Sequence, residues 1–199
     1  MTPNGKMGRP RGFAENEALE AAMRVFWEKG YEGSTLADLT AAMGINRSSM
    51  YATFGDKEAL FRLVIARYAE GPAAYVREAL KQPTVRAVVE ALLRGALEML
   101  TDPSHPLGCL SVQGALACGS DAEPMKQAMI ESRKQGESDI QNRLQRARRE
   151  GDLAKDVDAG DLARYISTLL TGLGVQAANG SSRAEMTRLV DMALRSMPF

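Results

Sequence analysis

Little in this sequence is equipped for catalysis. Histidine and tryptophan each occur once and cysteine twice in 199 residues. The one histidine, His105, sits between prolines in "TDPSHPLG". There is no paired acid and base, no nucleophile with a supporting imidazole and no phosphate-cradling glycine loop, which argues against an enzyme. The two cysteines, Cys109 and Cys118, rule out a disulfide framework. If one helix carried both, they would stand about 13.5 Å apart along its axis, beyond the roughly 7 Å that a disulfide allows. With His105 they are too few for a tetrahedral metal site, so neither metal nor cofactor is expected. Long apolar runs are missing too. The longest are short stretches such as "LVIA" at 63–66, against about 20 residues for a membrane span, and "MTPNGKMGRPRGF" has no apolar core of a secretory signal. The expectation is a cytoplasmic protein with no membrane partner. Charge of one sign is not in excess either. Lys and Arg number 25, as do Asp and Glu, so an acidic partner would have to be met by a local patch.

What the sequence does have is helical pattern. Ala, Leu, Glu, Arg and Met dominate, and β-branched and aromatic residues never alternate over a strand length. A first helix is expected over 14–29, with Leu19, Ala22, Met23, Phe26 and Trp27 at spacings of three and four and Gly30 as its stop. Ser34 or Thr35 caps "LADLTAAM", Asn46 caps a short third helix, and Asp56 caps a fourth. Longer helices follow from Pro83 to about Leu100, Leu107 to Ala117, Pro124 to Arg149, from Asp158 or Asp161, and from Ser182. The fold class is therefore all-α, with roughly nine helices. Residues 1–56 form a small N-terminal unit and 57–199 a larger helical body.

The informative stretch is "GINRSSMYATF" at 44–54. Two short helices joined by "MGIN" have the layout of a helix-turn-helix, with Gly44 permitting the sharp turn and Ile45 plugging between the helices. On the second helix Met50 and Phe54 lie four apart and share a buried face. Arg47, Ser48, Ser49 and Tyr51 lie further round. Serines are short enough to approach base edges or phosphates, Arg47 has the fork for guanine, and Tyr51 a hydroxyl for phosphate. The stretch alone leaves open a surface turn of an ordinary helical bundle. Its flanks add Lys6, Arg9 and Arg11 in an acid-free arm suited to phosphates or the minor groove. Thr35 and Lys57, near helix starts, are further candidates for backbone contacts. The other reading of these flanks is a solubilising tail, a simple cap and a solvated lysine.

The stretch 18–61 resembles the N-terminal domain of the tetracycline-repressor (TetR/AcrR) family of transcriptional regulators. The marks are Phe26 before Gly30-Tyr31, Thr35, Gly44-Ile45, Tyr51-x-x-Phe54 and Lys57-x-x-Leu60, with "GRPRGF" and "GCL" (108–110) pointing to one subgroup. The resemblance implies a three-helix helix-turn-helix domain and a larger C-terminal helical bundle for ligand sensing and dimerisation. It implies a homodimer on double-stranded operator DNA, most simply a repressor released by a small-molecule effector. By position, Asn46, Arg47, Ser48, Ser49 and Tyr51 carry over as recognition-helix contacts, with Thr35 and Lys57 on the backbone. Met50 stands where the family usually has Leu or Ile, a volume-conserving change, and Ala52 is often larger in relatives.

In the C-terminal half, Tyr68, Tyr75, Met99, Leu110, Gln113, Met125, Met129 and Tyr165 are candidate pocket residues, though residues of this kind are more often plain core. Cys109, at an expected helix start whose free N–H groups favour a thiolate, is a candidate sensor of oxidants or electrophiles. Its other reading is a small core residue. Leu169, Leu173 and Ala177 form one apolar stripe and Met186, Leu189, Val190 and Ala193 another. Both are candidate dimer surfaces that would otherwise close the chain's own core.

Overall fold

The computed structural model describes residues 11–114, 119 and 122–199, with side chains from residue 15 onward. Arg9, Lys6 and Cys118 lie outside the described residues, and of Arg11 only the backbone is described. Ten helices are present among them and no strand: α1 (Arg11–Gly33), α2 (Leu36–Met43), α3 (Arg47–Phe54), α4 (Lys57–Glu70), α5 (Ala74–Ala79), α6 (Val85–Thr101), α7 (Leu110–Gln113), α8 (Glu123–Glu150), α9 (Ala159–Ala178) and α10 (Arg183–Arg195).

Local side-chain chemistry sets most of these boundaries. Gly30, at φ 68 and ψ 175, breaks the helical path of α1 and leaves a single further turn. Thr35 and Asp38 form a capping box at the start of α2, and Ser182 and Glu185 form another at α10. Asn46, Asp56 and Thr84 each accept a backbone N–H at the starts of α3, α4 and α6. Gly44 ends α2 in the left-handed region at φ 66, its N–H directed at Ala41 O and Thr40 O. A Cβ there would meet nothing within 4 Å, so the conformation, not the space, calls for glycine.

The helices pack in two connected groups. α1 lies on α2 and α4, and α3 rests lightly on α2 and α4. In the body α5 packs on α6, α6 on α9 and α10, and α8 on α9. A single apolar core runs through both groups, from Phe26, Trp27, Leu39 and Met50 through Phe61 to Leu92, Leu110, Met125 and Leu144. Each such fully buried side chain contributes about 1.5–3 kcal/mol.

Two elements differ from the sequence-based reading. α5 is not anticipated, because six residues without a side-chain cap leave neither periodicity nor a start signal. The helix expected from Leu107 begins instead at Leu110. Leu107 is 63% exposed and Gly108 has φ 84, a conformation that cannot lie inside a right-handed helix. Among the described residues no helix is long and apolar enough to cross a membrane.

Candidate nucleic-acid interface and sensor region

α3 presents two faces. Met50 is fully buried and Phe54 nearly so, with Ile45 packed beside them on the common core. Asn46, Arg47, Ser48, Ser49 and Tyr51 are all exposed, Tyr51 at 46%. Asn46 Oδ1 accepts the Ser49 N–H at 2.8 Å, leaving its amide nitrogen outward. The Arg47 guanidinium has no ion pair among the described residues. A basic fork, two hydroxyls, an amide and a phenol thus lie on one short solvent-facing helix whose reverse is anchored. That pattern suits base edges and phosphates more than it suits stability, since apart from the Asn46 oxygen that caps the helix nothing in the fold uses these groups.

The two flanking candidates are more occupied. The Thr35 N–H and hydroxyl both donate to Asp38 Oδ2, at 3.0 and 2.8 Å, so a phosphate here would compete with that carboxylate. Lys57 Nζ lies 4.5 Å from the centre of the Tyr31 ring, a cation–π contact that aims it. Lys29 Nζ stands 2.8 Å from Asp38 Oδ1. Lys29, with the Thr35 hydroxyl and N–H, holds the Asp38 carboxyl down to about 2 from 3.8. A depressed carboxyl favours the folded state above its ordinary value and loses that contribution as protons return. Thermal unfolding is therefore expected to show stability falling as pH drops from about 4 towards 2. Asp38→Asn should remove part of that fall while leaving stability near pH 7 lower than in the parent.

The C-terminal candidates separate into distinct places. Tyr68, Met99 and Cys109 meet: the Tyr68 hydroxyl lies 3.8 Å from Met99 Sδ and 3.2 Å from Cys109 Sγ. Ser111 Oγ is 2.9 Å from the same sulfur, and Arg133 from α8 donates to Ser111 O at 2.7 Å. Burial, then the nearby thiol, pushes the Tyr68 phenol above its usual range, and burial does the same for Tyr75. Arg133 carried no signal in the sequence, because it meets this segment only through the fold, whereas Ser111 lies two residues from Cys109. Cys109 itself precedes a helix of four residues, too short for an appreciable dipole, so the expected dipole effect is replaced by two hydroxyl neighbours. Leu110, Met125 and Met129 are fully buried core. Gln113 keeps a buried, unpartnered Oε1. Tyr165 stands apart from all of these, 43% exposed on α9, its hydroxyl 3.5 Å from Ser196 Oγ.

The loop bearing Cys109 is joined to α1 at several points. Arg24 donates to Ser104 O at 2.8 Å, Trp27 Nε1 to Gly108 O at 3.1 Å, and the Tyr31 N–H to Gly114 O at 2.7 Å. The Gly119 N–H donates to the Glu32 carboxylate at 2.9 Å. His105 stacks on Trp27, ring centres 5.3 Å apart at 23°.

Of the two apolar stripes near the chain's end, Leu173, Ala177, Met186, Val190 and Ala193 are buried within the single chain and close its own core. This shifts the apolar surface open to a second copy to Leu169, partly buried, and exposed Tyr165, Val175, Leu189 and Met192.

Comparison with known proteins agrees with this geometry. The pattern described as "Bacterial regulatory proteins, tetR family" matches residues 18–64. "Tetracyclin repressor-like, C-terminal domain" matches 85–193. The chain is 28% identical to the HTH-type transcriptional repressor ComR of Escherichia coli (strain K12), over 96% of this chain and 92% of that protein. It is 33% identical to the HTH-type transcriptional regulator YezE of Bacillus subtilis (strain 168), over 93% and 95%. Among solved structures, a cysteine mutant of the TetR family transcriptional regulator CifR, complexed with 26bp double-strand operator DNA, is 40% identical with a TM-score of 0.90. The match covers 96% of this chain and all of that one.

Proposed function

The chain belongs to the tetR family of bacterial regulatory proteins and is a DNA-binding transcriptional regulator, and we propose that it is a homodimeric repressor released by a small molecule. The observation that carries this is the division of α3, with Met50 and Phe54 buried and Arg47, Ser48, Ser49 and Tyr51 outward. On this reading α3 enters the major groove, with Arg47 and the serines on base edges and Tyr51 on phosphate. Thr35, Lys57, Arg9 and Arg11 add backbone contacts. Residues 1–56 act as the DNA-binding part and 57–199 as the sensing and dimerising part. The protein works in the cytoplasm by binding alone. An effector would act by binding more tightly to a dimer whose two α3 helices no longer match half-sites about 34 Å apart.

Selecting bound fragments from the source genome tests the reading. A pseudo-palindrome with half-sites about one helical turn apart is expected. Failure of any fragment to enrich sinks the proposal.

The dimer would use Leu169, Val175, Leu189 and Met192. Replacing Leu189 and Met192 together by aspartate puts charge on exposed positions, so folding should persist. Sedimentation at micromolar concentration should then show a monomer, with operator affinity down at least about tenfold. An unchanged dimer would place the interface elsewhere.

A second reading of the sensing step is supported by the hydroxyls at 3.2 and 2.9 Å from Cys109 Sγ and by Arg133 behind Ser111. These are donors that a thiolate would use, making Cys109 a sensor of oxidants or electrophiles. If Cys109→Ser retains full electrophile-triggered DNA release, that reading fails.

A further inference from the structure

An open cleft of about 560 Å³ lies where the α4–α5 turn, the end of α6 and the start of α10 meet. Its wall combines Tyr75 and Met99 with Glu98, Asp102, His105 and Arg183. The Tyr75 ring can line it because α6 has glycine at position 95. A Cβ there would stand 2.5 Å from Tyr75 Cδ2.

The charges in this wall are not equivalent. Arg183 is committed: it pairs with Glu98 and donates to Thr101 Oγ1 at 2.7 Å. Asp102 takes the Ser104 N–H at 2.8 Å. Its carboxyl is held below the usual range by that N–H first, then by the Ser104 hydroxyl, with His105 a lesser cause. His105 Nδ1 is buried without a hydrogen-bond partner, and Asp102 Oδ2, at 3.9 Å, is out of reach. An anionic oxygen therefore faces a space walled by an aromatic ring and a thioether, while His105 Nδ1 is buried away from it.

We propose that this cleft binds a small protonated amine with an apolar body, its ammonium donating to Asp102 and its body lying on Tyr75 and Met99. An anionic ligand would face two carboxylates and a guanidinium already engaged. The occupant also reaches α1 directly, because the far face of His105 stacks on Trp27. That the amine is an effector, changing operator affinity, rests on the regulator reading above; that it binds does not.

Trp27 is the chain's one tryptophan, so its emission reports the cleft without a label. The full chain is titrated at pH about 8, where an alkylamine is charged. The probes are 2-phenylethylammonium, 2-phenylethanol and 3-phenylpropionate. The expected result is a saturable change with the amine and at least about tenfold weaker binding of the alcohol and the carboxylate. Asp102→Asn should weaken the amine about three- to tenfold, as suits a partly exposed charge, and Glu98→Gln, on an exposed side chain, should weaken it less. Equal affinity for the alcohol or the carboxylate, no saturable response to the amine, or no effect of either substitution overturns the proposal. Operator binding by the ligand-free protein is measured alongside. Operator binding with no amine response removes this inference alone, while an amine response with no operator binding removes the regulator reading and leaves the cleft.

Discussion

With Arg47 and Tyr51 both replaced by alanine, operator affinity is expected to fall at least about a thousandfold, and the melting temperature to stay within a few degrees of the parent. An arginine paired bidentately with a base is worth about 1–3 kcal/mol, and a hydrogen bond to a charged phosphate about 1.5–3 kcal/mol. A dimer loses each twice, so even the low end exceeds the roughly 4 kcal/mol of a thousandfold change. Stability is spared because both side chains are exposed and nothing in the fold leans on them. Fluorescence anisotropy on labelled operator at fixed salt, with thermal unfolding of the same samples, measures both quantities. A loss below about tenfold would mean that α3 is not the reading helix. A large drop in melting temperature would mean that the two side chains are structural.

Phe61→Ala is expected to destabilise the chain by about 3–5 kcal/mol, lowering the melting temperature by roughly 6–20 °C at this chain length. Phe61 is 1% exposed. Its ring stands edge-on to Phe26 at 5.0 Å and to Tyr31 at 5.1 Å, so it packs α4 against both sides of the break at Gly30. The truncation leaves a cavity walled by two aromatic rings, which cannot collapse into it without turning off their own contacts. Denaturant unfolding at constant protein concentration gives the cost, concentration being fixed because assembly would also stabilise the folded state. Phe61→Leu, which keeps most of the volume, should cost under about 1.5 kcal/mol. If the alanine variant costs no more than the leucine one, the junction is loosely packed and this account of it is wrong.

These two sites differ in how far the sequence alone reveals them. The two-faced character of α3 was readable because every signal for it is local: Asn46 as cap, Gly44 as turn, Met50 and Phe54 four apart. The same holds for the caps at Thr35, Asp56 and Ser182. α5 was not readable, having too few residues for a period and no capping side chain. The stripes on α9 and α10 were readable as stripes but not as surfaces, since an apolar row looks the same whether it meets its own chain or another. Leu173 and Val190 turned inward and Met192 outward for reasons held in the packing of α6 against both helices. Least readable was the surrounding of Cys109. Tyr68 and Arg133 come from α4 and α8, and no spacing in the chain announces that they converge beside Ser111, two residues on from the cysteine.

The way α1 is joined to the loop after α6 bears on how such a regulator can change its taste. Arg24, Trp27 and the Tyr31 N–H all grip main-chain oxygens, those of Ser104, Gly108 and Gly114. Every residue type offers the same oxygen, so the grip is indifferent to which side chains the loop displays. If this loop takes part in sensing as proposed, mutations that refit it to a new chemical signal can accumulate while these backbone links to the reading head survive. On the proposed reading, changes that bend the backbone, as at Gly108 with its φ of 84, or that remove the His105 ring stacked on Trp27, would weaken the line between what is sensed and what is read.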